Sequence, residues 1–257
     1  MWDHKTVCVV LPAYNEEAGI VDVVRDFINL SYFHESHIID EVIVVNNNSS
    51  DQTPMLARSA GARVIDEPRQ GYGSALQKGL REAEADLIVT CEPDRTFVAR
   101  DIIKLLSYAD DFDMVCGTRT TRELFWEEAN MGVLLRWGNY AVAKTLELLY
   151  GTCSLSDCGC TFRLYNREAV EKIQNDLFVT KSHFLPNVIV AARMNDVSFI
   201  EIPVTYRGRV GESKITGSLA GVWKTGMAMI WLILSQWPRY LFRPRKLQNN
   251  ASKKISA

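Results

Sequence analysis

Short apolar runs alternate along the first half of the chain with stretches in which apolar positions recur every three or four residues. The runs Val7–Leu11, Val42–Val45, Ala62–Ile65, Leu87–Cys91 and Met114–Gly117 read as strands. The first of them are apolar throughout instead of alternating, as parallel strands buried on both faces require. Between them, Ala18–Leu30, Gln52–Ser59, Gly73–Ala83 and Ile102–Tyr108 read as helices. Strand-helix-strand repetition of this kind predicts an α/β fold with a doubly wound, mostly parallel sheet and helices on both faces. Ligands of such sheets sit outside the carboxyl ends of the strands.

The second half is less regular. Trp126–Tyr150 reads as a long, mostly apolar helix, Gly159–Tyr165 and Phe199–Val204 as strands, and Phe184–Met194 as a helix, with another starting near Arg167. On a helical wheel of Ser218–Arg239, most apolar residues, Trp223, Met227, Trp231 and Trp237 among them, gather on one side, with Leu232 the exception. Its uninterrupted apolar run, Met227–Leu234, is far shorter than the roughly 20 residues that span a bilayer. An amphipathic helix lying in the membrane interface is expected, the alternative being a helix packed on its own domain or on a second subunit. The expected organisation is a catalytic domain over 1–216 and an amphipathic helix with a basic tail over 217–257.

Charge sharpens that picture. The formal net charge is −2, yet no acidic residue follows Glu212, whereas eight of the 29 basic residues do. A basic tail on an acidic body implies an anionic partner for the tail, an anionic membrane surface or a nucleic acid. Most aromatic residues near the tail lie on the apolar helical face and not along a basic strip, which argues against nucleic acid. The six cysteines contain no C-x-x-C pair. Cys153, Cys158 and Cys160 have no His beside them, so all six are expected as reduced core or loop residues. No export signal precedes the first strand, and a cytoplasmic location, peripheral on the membrane's cytoplasmic face, is expected.

The residues directly after the first four strands are polar and acid-bearing: Pro12-Ala13-Tyr14-Asn15-Glu16-Glu17, Asn46-Asn47-Asn48-Ser49-Ser50-Asp51, Asp66-Glu67-Pro68-Arg69-Gln70-Gly71-Tyr72-Gly73 and Glu92-Pro93-Asp94. Each has a local structural explanation, such as Ser50 or Asp51 as a helix cap and Gly71 as a turn residue. Their convergence on one sheet edge points to a ligand site.

These turns carry a resemblance. Val9-Val10-Leu11-Pro12-Ala13-Tyr14-Asn15-Glu16 resembles the opening strand and nucleobase turn of the family 2 glycosyltransferases, and Val44–Thr53 their second turn. Gly71-Tyr72-Gly73-Ser74-Ala75 with Gly79, and Gly117-Thr118-Arg119, are similar to further elements of that family. Asp157–Arg163 is similar to its Asp-x-x-x-Gly-Phe-Arg segment, with the Gly two places early. Arg209-Val210-Gly211-Glu212-Ser213-Lys214 resembles the Arg-x-Gly-x-Ser-Lys signature of the polyprenol-phosphate sugar synthases.

The resemblance implies a GT-A fold and an inverting transfer of sugar from a nucleotide-sugar donor (UDP- or GDP-linked) to a polyprenyl phosphate acceptor. It implies that Pro12, Tyr14 and Glu16 hold the nucleobase, with Asn46 and Asn47 near base and ribose and Gly71 in the third donor turn. Glu92 and Asp94 would bind Mg²⁺ or Mn²⁺, since a hard cation takes carboxylate and phosphate oxygens. Arg119, Arg136 and Arg163 would serve the acceptor, and Arg209 and Lys214 would close over the phosphates during catalysis. The chain departs from the family pattern in having Glu92 for Asp, Asn46 or Asn47 for Asp, and Thr96 for a polar ligand such as Gln. Asp157 has two readings, a general base for a hydroxyl acceptor or a turn residue that orients Arg163. A transferase with a soluble or protein hydroxyl acceptor, a nucleotidyltransferase and a nucleotide-binding module are the alternative functions.

Overall fold

The computed structural model describes residues 1–32, 36–121, 124, 133–208 and 219–243. Nine strands and eight helices follow in chain order: β1 Val7–Ala13, α1 Ile20–Ile28, β2 Ser31–Tyr32, β3 Ser36–His37, β4 Glu41–Asn46, α2 Thr53–Ser59, β5 Arg63–Asp66, α3 Tyr72–Glu82, β6 Leu87–Thr90, α4 Ile102–Leu106, β7 Met114–Thr118, α5 Val133–Tyr150, β8 Arg163–Asn166, α6 Arg167–Ile173, α7 Phe184–Met194, β9 Phe199–Pro203 and α8 Leu219–Leu241. β2 and β3 form a separate two-stranded ribbon.

The other seven strands make one sheet in the order β5-β4-β1-β6-β8-β7-β9. The strands from β5 to β6 pair in parallel, as the apolar runs predict, with Val9 opposite both Val42 and Val89. β8 runs antiparallel to both β6 and β7, and β7 returns to parallel pairing with β9. The strand expected over Gly159–Tyr165 therefore starts later, at Arg163, and residues 159–162 form an irregular approach to it. Of the helix expected from Trp126, the described part begins at Val133; residues 125–132 lie outside the described set.

The two-residue period of β1 divides the core. Val7, Val9 and Leu11 join α1, α2 and α4 on one face through Phe27, Ala57 and Leu105. Cys8 and Val10 join α3, α5, α6, α7 and α8 on the other through Leu80, Leu146, Val170, Val188 and Ile233. Every residue of β1 is buried, which explains why its sequence shows no polar alternation. All six cysteines are free thiols, five of them buried.

α8 is part of this second core layer. Leu232, Ile233 and Tyr240 are buried, and Tyr150 on α5 donates to the Ile233 carbonyl at 2.7 Å. Trp237 Nε1 and Tyr240 Oη return hydrogen bonds to the Leu149 and Tyr150 carbonyls at 3.0 and 2.8 Å. Leu232, the residue out of place on the wheel, points into the protein. The opposite face stays in solvent: Trp223 and Trp231 are 73% and 72% exposed, with Met227, Leu234 and Leu241 exposed beside them. Among the described residues, no helix is long and apolar enough to cross a membrane.

Candidate active site

The four turns after β1, β4, β5 and β6 meet at the carboxyl edge of the sheet and enclose a cavity. Pro12 lines it from the end of β1 and Tyr14 and Glu16 from the turn that follows, Asn47 from the second turn, Gln70 and Gly71 from the third with Tyr72 at the start of α3, and Glu92, Pro93 and Asp94 from the fourth.

Polar cross-bracing holds these turns in register. Asn15 adopts a positive φ of 54°, tolerated by an Asn, and its Oδ1 accepts from the Ser50 amide at 2.8 Å. The Glu16 amide donates to Thr53 Oγ1 at 2.8 Å. Asp51 accepts from the Thr53 amide at 3.0 Å, satisfying a donor at the start of α2. Burial acts to raise the Asp51 pKa, but the hydrogen bonds from Thr53 and Glu17 outweigh it and hold the carboxyl below its ordinary value.

Asn47 connects the second turn to the third. Its amide nitrogen donates to the Glu67 and Arg69 carbonyls at 3.0 and 2.9 Å, and its oxygen accepts from the Gly71 amide at 2.7 Å. Both amide hydrogens are thereby used, so Asn47 shapes the cavity wall by holding the loop before α3. Asn46 is not among the lining residues; it donates to Asp66 Oδ1 at 2.8 Å and accepts from the Ser49 amide at 3.1 Å. Of the two asparagines expected near base and ribose, Asn47 alone lines the cavity. Gly71 has a φ of 153°, and a Cβ there would lie 2.3 Å from the Thr180 carbonyl oxygen.

The two carboxylates at the end of β6 each rest on a threonine. Asp94, 2% exposed, accepts at Oδ1 from the Thr96 hydroxyl at 2.6 Å and amide at 3.1 Å. Glu92 Oε1 accepts from Thr161 Oγ1 at 2.8 Å, and the Thr161 hydroxyl is also bonded to the phenol of Tyr72. Burial, with the Glu92 charge second, pushes the Tyr72 pKa well up, so the phenol keeps its proton. The pair fits a divalent cation that shares its coordination with a diphosphate. Both carboxylates line the cavity from a strand end, and no third Asp, Glu, His or Cys completes a closed cage among the described residues. Tyr72 and Thr161 were absent from the sequence-derived site; nothing in local spacing joins residues 89 positions apart.

The residues expected on the acceptor side fall differently. Asp157 is 1% exposed and takes Arg119 Nε and Nη2 at 2.7 and 2.9 Å, the Arg119 amide at 3.2 Å and the Gly159 amide at 3.1 Å. Burial alone would raise its pKa, but the charge and hydrogen bonds of Arg119 hold it below the ordinary carboxylate value. Asp157 therefore orients Arg119, and the sequence-based pairing with Arg163 is corrected. Arg163 is fully buried and donates to the Cys160, Leu185 and Cys158 carbonyls at 2.9, 3.1 and 2.7 Å. Three carbonyl dipoles solvate its charge inside the protein, so it serves the core and not an acceptor. Arg119 lies over the Tyr206 ring at 5.3 Å. Arg136 belongs to α5, with its side chain outside the described set, as are Arg209 and Lys214 entirely. The chain reaches that segment beside Asp94: Tyr206 bridges to Phe97, and the Arg207 amide donates to the Thr96 carbonyl at 2.8 Å.

Comparison with known proteins agrees with this architecture. The sequence model of glycosyl transferase family 2 matches residues 8–174. A dolichyl-phosphate hexose transferase of Haloferax volcanii is 30% identical over 210 residues, covering 81% of this chain and 86% of the relative. A low-salt glycan biosynthesis hexosyltransferase of the same organism is 30% identical over 240 residues, 92% of this chain but 55% of the longer relative. Among solved structures, the glucosyl-3-phosphoglycerate synthase of Mycobacterium tuberculosis superposes with a TM-score of 0.71 at 20% identity, over 91% of this chain and 80% of that one. That enzyme was crystallised with Mn²⁺, UDP-glucose and phosphoglyceric acid. The shared fold is the GT-A arrangement.

Proposed function

Because the chain belongs to glycosyl transferase family 2 and is therefore a glycosyltransferase, we propose that it transfers a sugar from a UDP- or GDP-sugar to a polyprenyl phosphate at a membrane surface, with inversion. The turns bearing Pro12, Tyr14, Glu16 and Gly71 take the nucleoside, and Glu92 and Asp94 hold Mg²⁺ or Mn²⁺ against the diphosphate. Such a cation supplies positive charge to the leaving group. Asp94 is kept in place by Thr96, so its carboxylate needs little reorganisation when the diphosphate arrives. Arg209 and Lys214 are proposed to add their charges to the phosphates; the tie between Arg207 and Thr96 supports this by bringing the chain beside Asp94.

The observation that carries the acceptor class is the state of Asp157. A hydroxyl acceptor needs a base, and the acid expected in that role is buried, ionised and bound to Arg119. A phosphate acceptor needs none, since its second pKa of roughly 6 leaves it a dianion for much of the time at neutral pH. The name of the Haloferax relative supports the same class. Peripheral attachment to the cytoplasmic face is supported by the exposed Trp223, Met227, Trp231 and Leu234 on α8, and by Trp137 and Leu148 on α5, the helix it packs against. Arg239 is exposed on the same helix, whereas Arg243 is paired with Asp176 at 3.2 Å.

The test is incubation of the purified protein with UDP- and GDP-sugars, Mg²⁺ or Mn²⁺, and either polyprenyl phosphate or 3-phosphoglycerate. Glycolipid as the product supports the reading. Product from the soluble acceptor alone replaces it.

A further inference from the structure

Two places where the chain departs from its family's pattern touch each other. Glu92 stands where the pattern has Asp, and Thr161 stands where Asp-x-x-x-Gly-Phe-Arg has its Gly. Thr161 Oγ1 donates to Glu92 Oε1 at 2.8 Å and accepts from the phenol of Tyr72. The direction of this chain of bonds is fixed. An ionised carboxylate can only accept, the threonine has one proton to give, and the phenol must then be the donor to threonine. The three residues come from distant parts of the sequence: the first turn of α3, the approach to β8 and the end of β6. Thr161 is itself held, since it is fully buried and its carbonyl accepts from Thr90 Oγ1 at 2.6 Å. Tyr72 and Glu92 line the cavity, and Thr161 stands behind them.

We propose that Thr161 is a positioning residue for Glu92, fixing the carboxylate that binds the divalent cation, and that Tyr72 fixes the Thr161 hydroxyl in turn. The proposal rests on the metal-binding reading of Glu92 and Asp94 given above. A glutamate has one more rotatable bond than an aspartate, and that freedom must be removed before the carboxylate can present a defined ligand. The Thr161 hydroxyl removes it, as Thr96 does for Asp94. A glycine at 161 has no hydroxyl with which to do so. Glu92 thus depends on Thr161 for its geometry.

The experiment measures Mn²⁺ binding by electron paramagnetic resonance, with UDP or GDP present, for the full chain and the variants Thr161→Val, Thr161→Ser and Tyr72→Phe. Thermal melts on the same samples report the fold. Thr161→Val should weaken Mn²⁺ binding by about 10-fold, the equivalent of one hydrogen bond to a charged group. Thr161→Ser, which restores the hydroxyl, should remain within about 2-fold, and Tyr72→Phe should fall between the two. A folded Thr161→Val protein that binds Mn²⁺ as tightly as the parent overturns the proposal, as does a serine variant no better than valine. Should the valine variant fail to fold, unchanged Mn²⁺ affinity in Tyr72→Phe overturns it. Parent protein that takes up no Mn²⁺ with either nucleotide overturns the metal-binding reading itself. Parent binding with indifferent variants overturns the positioning role alone.

Discussion

Asp157 grips Arg119 through both carboxylate oxygens, at 2.7 and 2.9 Å, inside the protein and not at its surface. Breaking such a pair leaves the surviving charge uncompensated, at a cost of about 3–5 kcal/mol. Asp157→Asn and Arg119→Ala should each lower unfolding free energy by that order in urea titrations. The Asp157 pKa is depressed in the folded state, so its contribution is present above the unfolded value, near ~4, and disappears as pH falls through the folded value. The stability of the parent protein should therefore drop on acidification more steeply than that of Asp157→Asn. An Asp157→Asn protein of full stability but without activity would restore Asp157 as a base.

Asp94→Ala removes one of the two cavity carboxylates proposed to hold the divalent cation. Transfer should be abolished, and Mn²⁺ binding lost. The fold should survive, with a stability loss of about 1–3 kcal/mol from the Thr96 hydroxyl and amide left without their acceptor. Parent activity undiminished by a chelator would remove the metal from the mechanism.

Gly71→Ala tests the third turn. The new Cβ would press on the Thr180 carbonyl in a backbone conformation that side chains disfavour. Displacement of the turn should cost about 1–3 kcal/mol of stability and weaken nucleotide affinity measured by calorimetry. Unchanged affinity would dissociate Gly71 from donor binding.

The exposed face of α8 separates attachment from folding. Trp223→Glu with Trp231→Glu should release the protein from anionic vesicles in sedimentation assays, with the melting temperature kept, because both rings lie in solvent. Truncation after Gly217 should instead unfold the second core layer, since it removes Leu232, Ile233 and Tyr240. If the double variant stays bound, the surface is not the lipid contact.

The parallel half of the sheet was legible because β1, β4 and β6 are buried on both faces and each turn bears its own polar run. Tyr14, Glu16, Asn47, Gly71, Glu92 and Asp94 could be placed on one edge from topology alone. β8 was harder: Arg163–Asn166 is short, and nothing in four residues says that they run against their neighbours. The buried charges were misassigned for a related reason. Arg163 and Asp157 look like surface chemistry in a sequence, and only the carbonyls of Cys158, Cys160 and Leu185 and the guanidinium of Arg119 show that each is satisfied inside. The roles of Thr96 and Thr161 depend on contacts that no periodicity encodes.

The antiparallel placement of β8 also sets the order in which the protein can be completed during synthesis. β6 and β7 both leave the ribosome before the strand that joins them. Until Arg163–Asn166 emerges, β6 keeps one bare edge, and β7 has neither of its neighbours, because β9 is later still. A nascent chain stalled between Thr118 and Arg163 thus displays three unpaired strand edges at the same time, one on β6 and two on β7. Slow translation or truncation in that interval therefore leaves strand edges open to mispairing, which a ribosome-bound chaperone would shield.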